Sequence, residues 1–236
     1  MKLEAPDPAR TLRRRAPWSA LEEPLFQRAV AALRLRERGR GEVFFGRGDA
    51  FEELFVVAHG RVKIGLTGPD GHEIIISIAT PGTTIGEAPL DESPARYFAT
   101  ATALEDALAW ALPRRELDRL LDESPKFARA LLVLASRRVR ALVELVDGIA
   151  LRGVPERLAA FLLVHARRGG ASGKKPFSIV RSLAVETVAG RLGTVREEVQ
   201  RALRLLADEK IIALSRREIV VLDLDRLERA SWEPLR

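Results

Sequence analysis

The chain has 236 residues, of which 47% are hydrophobic and 31% charged, and it carries a formal net charge of +6. It has no cysteine, which excludes disulfides, thiolate zinc sites, Cys-ligated iron–sulfur clusters and a cysteine nucleophile. No apolar run approaches membrane-spanning length, and no signal-peptide core follows the basic start, so we expect a cytoplasmic protein.

The first half of the chain predicts a small β domain. We expect residues 1–16 to form a flexible arm, and the apolar spacing over residues 17–33 predicts a helix. From Arg34 to Leu112, short apolar runs alternate with Gly-containing turns, a pattern typical of a roll or sandwich. The predicted strands lie at residues 42–45, 53–57, 60–66, 73–78, 98–103 and 107–112. Residues 17–123 are assigned to this domain.

A long helix is predicted next, over residues 124–151, with Pro125 in its first turn. Its apolar stripe is longer than one small β domain can cover, which favours packing against a second copy of the chain. The alternative is a helix buried within one subunit. The residues predicted to hold the dimer are Leu131, Leu134, Leu142, Leu145 and Ile149. Because Arg152 and Gly153 break the pattern, residues 124–152 form the predicted dimerisation helix and hinge.

The last segment, residues 153–236, predicts a winged helix-turn-helix. After a basic loop at residues 169–176, which we interpret as a linker, a short helix is predicted over residues 182–191. A tight turn ending at Gly193 leads into a second helix over residues 193–206. Two apolar runs around a charged tip then predict a β-hairpin wing.

The second helix has two faces at 3.6 residues per turn. Its apolar face comprises Val195, Val199, Ala202, Leu203 and Leu206. The polar face carries the groups that base edges in a major groove require: Arg196 and Arg201 for guanine, Glu197 for cytosine, and Gln200 for adenine. The alternative is an ordinary amphipathic surface helix, and the neighbouring helix and hairpin favour the reading of DNA.

Contacts with the DNA backbone are predicted around this helix. Thr194 is the predicted N-cap, with Glu197 completing a capping box. Thr194, Ser215, Arg216 and Arg217 are predicted to hold phosphates. From Val154 onward the chain has 16 Lys and Arg against 11 Asp and Glu, so this segment carries +5 of the net charge of +6. Such an excess suits phosphate binding.

The order of motifs resembles the cyclic-AMP receptor protein / fumarate-nitrate regulator (CRP/FNR) superfamily of bacterial transcription factors. The motifs are Phe45-Gly-Arg-Gly-Asp, Gly60-Arg-Val, Pro81-Gly82, Ile85-Gly-Glu and Ala103-Leu-Glu-Asp. Arg196-Glu197 followed by Arg201 matches the recognition helix of that family. The resemblance implies an α+β fold: an N-terminal β-roll of the cyclic-nucleotide-binding type (a double-stranded β-helix), a long dimer helix and a C-terminal winged helix. It also implies contacts with TGTGA-like half-sites, an activator role and RNA polymerase as a partner.

The effector site departs from that of the nucleotide-binding members of the family. Gly86 and Glu87 are present and Arg96 lies near the expected arginine, but Tyr97 replaces a phosphate-binding residue. Leu142 and Val143 stand where two hydroxyl residues would bond the adenine. Each unsatisfied group would cost roughly 1 to 3 kcal/mol, so cyclic AMP is not the expected effector and no cofactor is predicted. The alternative for Gly86, Glu87 and Arg96 is a structural turn with an internal ion pair.

Two further alternatives concern ligands and class of protein. The scattered histidines, His59, His72 and His165, suggest packing or surface roles, and they leave open a different effector or a haem ligand. No catalytic motif occurs, so the chain is predicted not to be an enzyme. A nucleotide-binding regulatory subunit of an enzyme is the competing class, and the Arg-Glu face of the second helix speaks against it.

Overall fold

A computed structural model describes residues 4–87, 94–171, 176–180, 184–215 and 218–233. The chain divides into two compact units, one of Met1–Leu66 with Ile76–Leu142 and one of Thr67–Ile75 with Val143–Arg236. Within the described residues, no helix combines the length and the apolar character that crossing a bilayer requires.

Residues 8–12 are helical, whereas the sequence predicted a flexible arm over residues 1–16. Helix α1 (Pro8–Leu12) is capped by Asp7, whose carboxylate accepts a hydrogen bond from the Ala9 amide at 3.0 Å. Leu12 is fully buried in the core of the first unit. A buried leucine and a side-chain cap together outweigh the Pro and Arg content that suggested a loose arm.

The helix predicted over residues 17–33 is two elements. A 3-10 turn at Trp18–Ala20 precedes helix α2 (Glu23–Ala32), and Glu22 between them is extended. Pro24 lies in the first turn of α2, where its missing amide costs nothing because that amide has no helical partner.

The first unit is built on two four-stranded antiparallel sheets. One has the order β1-β8-β3-β6 and the other β2-β7-β4-β5. The strands are β1 (Arg34–Arg38), β2 (Val43–Phe45), β3 (Glu53–His59), β4 (Val62–Thr67), β5 (Glu73–Ala79), β6 (Thr84–Ile85), β7 (Thr100–Ala103) and β8 (Ala107–Pro113). Strand β8 is buried along almost its whole length and pairs with β3 in the register Leu54↔Leu112. This arrangement confirms the predicted β-roll.

Two helices follow the roll. Helix α3 (Arg114–Glu123) contributes Leu117 and Leu120 to the roll core, and helix α4 runs over Pro125–Leu151. Ser124 accepts a hydrogen bond from the Phe127 amide at 3.3 Å, so it lies before the helix rather than in it. The Phe127 ring packs on Trp18 at 5.7 Å between centroids.

The second unit is an α/β domain around one apolar core. It contains α5 (Val154–Arg168), β9 (Phe177–Val180), α6 (Val185–Leu192), α7 (Arg196–Asp208), β10 (Ile212–Leu214), β11 (Glu218–Val221) and α8 (Leu224–Ala230). The strands form an antiparallel sheet in the order β10-β11-β9. The predicted hairpin is confirmed as β10 and β11, whereas β9 was not predicted from the sequence.

Candidate nucleic-acid interface and effector pocket

The turn between α6 and α7 is fixed by Gly193, whose φ of +60° lies in the left-handed region. The amide of Gly193 donates to the Gly190 carbonyl oxygen at 3.2 Å, and the amide of Thr194 donates to the Ala189 carbonyl oxygen at 3.0 Å. These bonds satisfy carbonyl groups at the end of α6, as in a Schellman-type ending. Thr194 therefore closes the preceding helix.

The predicted capping box at Thr194 is wrong. Helix α7 begins at Arg196, its N-cap is Val195, and Val195 makes no side-chain capping bond. Thr194 lies one residue before the cap position, and its amide closes the end of α6. Glu197 and Glu198 lie in the first turn of α7 instead, where their negative charge is favourable to the helix dipole.

The predicted two faces of α7 are confirmed. Val199, Ala202, Leu203 and Leu206 are buried in the core of the second unit. Arg196, Glu197, Arg201 and Arg204 are exposed and Gln200 is half-buried. The domain therefore presents the base-reading candidates to solvent on one rigid helix, which is the arrangement that major-groove recognition needs.

Arg196 and Arg201, two of the three arginines on this face, have carboxylate partners that were not predicted. Arg196 Nη1 lies 2.9 Å from Glu186 Oε1 of α6, and Arg201 Nη1 lies 2.7 Å from Glu198 Oε1 of α7. All four side chains are more than one-third exposed, so each pair contributes at most about 1 kcal/mol to stability. Sequence periodicity gives the face of a helix but not the helix that lies beside it, which is why Glu186 was missed.

The hairpin tip is held by Ser215. Its hydroxyl oxygen accepts a hydrogen bond from the Glu218 amide at 3.0 Å, and its own amide donates to the Glu218 carbonyl oxygen at 2.9 Å. Arg216 and Arg217, which are predicted to bind phosphates, lie outside the described residues. Their role remains a prediction.

In the first unit, Glu87 is a buried carboxylate with an arginine partner. It is 4% exposed, and its Oε1 lies 2.5 Å from Nη1 of Arg138 on α4. Arg138 also donates through Nη2 to the Thr84 carbonyl oxygen. Burial raises the pKa of Glu87, and the positive charge of Arg138 opposes this shift. Neither Oε1 nor Oε2 of Glu87 has a partner with hydrogen-bond geometry in the described part of the chain, so the contact with Arg138 is an ion pair.

The predicted internal ion pair therefore exists with a different partner. Arg138, rather than Arg96, neutralises Glu87, while the Arg96 guanidinium donates to the Gly48 carbonyl oxygen at 2.7 Å. Arg138 lies one helical turn before Leu142 on α4, and this spacing was the signal in the sequence that could have identified it.

Tyr97 packs where the turn at Gly86 approaches the core. Its ring stacks on Phe45 at 4.0 Å between centroids, and its hydroxyl donates to the Glu53 carbonyl oxygen at 2.5 Å. Gly86 has φ of +87°, and a Cβ there would lie 3.1 Å from Tyr97 Cε1. Burial raises the pKa of Tyr97 to about 12. Tyr97 is thus a neutral core residue, with its hydroxyl proton committed to the protein.

Two of the six effector-site candidates line a cavity in the first unit. Arg96 and Tyr97 line an open cavity of about 500 Å³, together with aromatic and acidic residues, and Gly86 and Glu87 are not among its lining residues. Leu142 and Val143 are exposed on α4. The lining residues of the cavity are Phe44, Phe45, Gly48, Asp49, Ala50, Glu52, Glu53, Phe55, Arg96 and Tyr97.

Two histidines have local partners. Nδ1 of His72 lies 2.8 Å from an Asp70 carboxylate oxygen, and Nδ1 of His165 lies 2.8 Å from the Phe161 carbonyl oxygen. Within the described residues, no group of three or more His, Asp or Glu side chains is placed to hold a metal ion.

Comparison with known proteins identifies both units. A family model for the cyclic nucleotide-binding domain matches residues 35–124, and one for the Crp-like helix-turn-helix domain matches residues 156–230. The CRP-like cAMP-activated global transcriptional regulator of Mycobacterium tuberculosis is 29% identical over 190 residues, which cover 80% of this chain and 84% of that protein. The transcriptional activator protein Anr of Pseudomonas protegens is 27% identical over 191 residues, covering 79% of this chain and 78% of that protein.

The fold is shared with a solved structure at lower identity. FixK2 from Bradyrhizobium japonicum aligns with a TM-score of 0.72 at 22% identity, over 86% of this chain and 99% of that one. The matched segments contain the β-roll and the helix-turn-helix described above. The chain belongs to the CRP/FNR superfamily of transcription regulators, with a cyclic-nucleotide-binding-type domain followed by a DNA-binding helix-turn-helix.

Proposed function

We propose that this chain regulates transcription as a homodimer that binds an inverted repeat of TGTGA-like half-sites. One observation carries the proposal. The first turns of α7 expose Arg196, Glu197 and Arg201 on one face, with Gln200 beside them, while the opposite face is buried. Arg196 and Arg201 each bind a guanine, Glu197 accepts from a cytosine amino group, and Gln200 pairs with an adenine.

Backbone contacts position the reading helix. Thr194 at the turn and Ser215, Arg216 and Arg217 at the wing bind phosphates on either side of α7. Such contacts add affinity for every sequence alike and make binding dependent on salt. As an activator, the bound dimer contacts RNA polymerase, and the basic loop at residues 169–176 is a candidate surface for that contact.

The dimer forms through one face of α4. Six apolar residues of this helix alternate at spacings of three and four, the heptad pattern of a coiled coil. Five of them are exposed in the protomer and Ala135 is half-buried, so the face is free for a second chain. We call this set the α4 seam: Leu132, Ala135, Val139, Leu142, Val146 and Ile149.

The seam replaces part of the set predicted from the sequence. Leu142 and Ile149 belong to both. Leu131 is 3% exposed and packs inside the protomer, so it does not face a partner. Leu134 and Leu145 are half-buried beside the seam.

We further propose that DNA binding does not require cyclic AMP. An adenine on α4 would meet Leu142 and Val143, which have no hydrogen-bonding side-chain atoms. A cyclic phosphate beside Gly86 would meet the ring of Tyr97, whose hydroxyl already donates to the Glu53 carbonyl oxygen. Arg138 supplies the charge that Glu87 needs. The residues present therefore do not fit cyclic AMP.

An effector-gated regulator is the second candidate, and the open cavity favours it. That cavity has a volume of about 500 Å³ and joins aromatic residues to Arg96 and three carboxylates. A ligand other than cyclic AMP could bind there and shift the protein toward a DNA-competent state. We propose no enzymatic role for either form.

Selection of duplexes from a random pool by the purified protein tests the proposed function. We expect enrichment of an inverted repeat whose half-sites lie one helical turn apart, about 34 Å, because the two copies of α7 are related by a twofold axis. Enrichment of single half-sites would contradict the dimer, and a pool with no enriched sequence would contradict base reading.

A further inference from the structure

Two of the three arginines on the polar face of α7, Arg196 and Arg201, are paired with carboxylates of the same chain. Glu186 on α6 accepts from Arg196 at 2.9 Å, and Glu198 on α7 accepts from Arg201 at 2.7 Å. Arg204 is exposed on the same face and has no ion-pair partner within the described residues. The carboxylates thus accompany the two arginines assigned to guanine.

The geometry leaves the reading edge of each arginine free. In both pairs the nitrogen that donates to the carboxylate is Nη1. A guanidinium has five N–H donors in a planar fork, and a bidentate contact with guanine O6 and N7 needs two parallel donors. The edge formed by Nε and Nη2 can therefore bind guanine while Nη1 stays on its glutamate.

We propose that Glu186 and Glu198 are positioning residues that set the sequence selectivity of DNA binding. Each carboxylate orients its arginine toward the base edges, which reduces the side-chain entropy lost on binding the correct site. Each also repels phosphate, which weakens binding to every duplex alike and leaves the ratio of selected to scrambled affinity unchanged. The proposal rests on the proposed function, since it assumes that Arg196 and Arg201 read bases.

An alternative is that the two ion pairs only stabilise helix α7, but this explains one pair and not the other. Glu198 and Arg201 are three residues apart on α7, a spacing that stabilises a helix by about 0.2 to 0.5 kcal/mol. Glu186 lies on a different helix, so its contact with Arg196 adds nothing to the helicity of α7. What the two pairs share is the arginine edge that they leave open.

The variants Glu186→Gln and Glu198→Gln test the proposal, with Glu228→Gln as the matched control. Glu228 forms a similarly exposed pair with Arg167 at 2.7 Å, within the same domain and away from α7. The measured quantity is the ratio of affinities for a duplex selected from a random pool by the wild-type protein and for its scrambled version.

We expect each test variant to lower this ratio roughly 1.5- to 5-fold, the range of an exposed ion pair. The control variant changes both affinities equally and leaves the ratio intact. Glu186→Asp, which keeps the charge, restores part of the ratio. A ratio that stays at the wild-type value in both test variants would overturn the proposal.

A double-mutant cycle separates positioning from a general charge effect. In an Arg196→Ala background, Glu186→Gln should leave the ratio unchanged, because the group it orients is missing. An equal fall of the ratio in both backgrounds would overturn the proposal. Failure of the proposed function gives a different result, because the wild-type protein then enriches no sequence from the pool. Selective binding by the wild type, together with an unchanged affinity ratio in the glutamine variants, removes only the positioning role.

Discussion

Arg196 and Arg201 are five residues apart on α7, a rise of about 7.5 Å along the helix. That is close to two base-pair steps of about 3.4 Å each, so we expect the two side chains to contact different base pairs of one half-site. Their guanidinium groups are exposed and their carboxylate partners bind one nitrogen of each. Selectivity at two positions of the half-site is therefore expected to depend on these two residues separately.

Substitution of Arg201 tests base reading. We expect Arg201→Ala to weaken binding to the selected duplex by about 1 to 3 kcal/mol and to relax the choice of base at one position, while binding to scrambled DNA changes little. Arg217→Ala, in the wing, should weaken binding to both duplexes alike. It should also reduce the slope of log affinity against log salt concentration by about 1, because one phosphate contact is lost. An equal loss on both duplexes for Arg201→Ala would assign this residue to the backbone.

Glu87 makes a contribution to the stability of the β-roll that increases as the pH falls, which is the opposite of a carboxylate with a lowered pKa. Burial raises its pKa above the ordinary value of 4.5, so the folded protein binds a proton at a pH where the unfolded chain has lost it. The contribution of this group to stability is then fully present below 4.5 and is lost as the pH rises through the folded value. The Arg138 charge makes the rise in the pKa of Glu87 smaller but does not reverse it, so the stability is lost over a narrower pH range.

Comparison with Glu87→Gln isolates the effect. Urea unfolding followed by the fluorescence of the buried Trp18 and Trp110 should show that the free energy of unfolding of the wild type, minus that of the variant, increases as the pH falls. Glutamine has nearly the shape of the protonated carboxyl group and does not ionise, so the variant removes the titration of this site, and any difference in packing gives an offset that does not depend on pH. A difference that is flat, or that increases with rising pH, would contradict the buried carboxylate.

Individual residues were predictable where periodicity decides, and not where packing does. The faces of α7 followed from its 3.6-residue period. Thr194 has the residue type of an N-cap, yet Val195 occupies the cap position and the Thr194 amide closes the turn of α6. Local propensity cannot show which of two neighbouring residues begins the helix. Glu186 contacts an arginine of the next helix, so the periodicity of a single helix could not reveal it, whereas Arg138 had only its position one turn before Leu142 as a signal.

At the scale of elements, we propose that α4 forms the dimer and that the α6–α7 turn positions the helix that contacts DNA. The residues of the α4 seam are spaced alternately by three and four, as in a coiled coil. They form a contiguous exposed apolar patch, which is uncommon in a monomeric protein and favours a partner. The turn depends on Gly193, where the positive φ requires a residue without a Cβ.

A charge on the seam tests the dimer. Val139→Asp should shift the protein from dimer to monomer, because a carboxylate would be buried against the partner helix without a counter-ion. Sedimentation at several protein concentrations measures the shift. Ala141→Asp places the same charge on the exposed, opposite side of α4 and should leave the dimer intact. Dissociation by both variants to the same extent would remove the seam as the interface.

Gly193 and Gly170 form a matched pair for the turn. Both have positive φ, but a Cβ at Gly193 would lie 2.8 Å from Ile149 Cδ1, whereas a Cβ at Gly170 would meet no atom within 4 Å. Each change to Ala should cost about 1 to 2 kcal/mol of stability from left-handed strain. Only Gly193→Ala should also reduce selective DNA binding, since it displaces the turn before α7. Unaltered binding by that variant would show that the turn tolerates the displacement.

Elements were predictable when apolar period and turn signals agreed. The main strands of the roll and the limits of α4 followed from the sequence. Strand β1 did not, because its residues Arg-Leu-Arg-Glu-Arg look like a solvated segment, although they pair with β8 at a sheet edge where charge is favourable. Helix α1 was missed because its stability comes from the burial of Leu12 in a core that the local sequence does not show.

For the whole molecule, charge and symmetry act together. The segment from Val154 onward carries +5 of the net charge of +6, so each protomer brings its positive charge to the domain that meets DNA. In the proposed dimer, two such domains would double the phosphate contacts, and we therefore expect binding to depend steeply on salt. The order of the two domains was predictable from motifs along the chain, whereas the occupant of the effector site depends on how Tyr97, Arg138 and Glu87 pack.

The most direct test of the central claim is a DNA titration of the purified, ligand-free protein. It uses a TGTGA-N6-TCACA duplex and a scrambled duplex at two salt concentrations, each with and without cyclic AMP. We predict tight, selective and salt-dependent binding that the nucleotide does not change. Selective binding that appears only with cyclic AMP would contradict the assignment of Tyr97, Leu142 and Val143, and absence of selective binding under every condition would contradict the proposed half-site in the ligand-free protein.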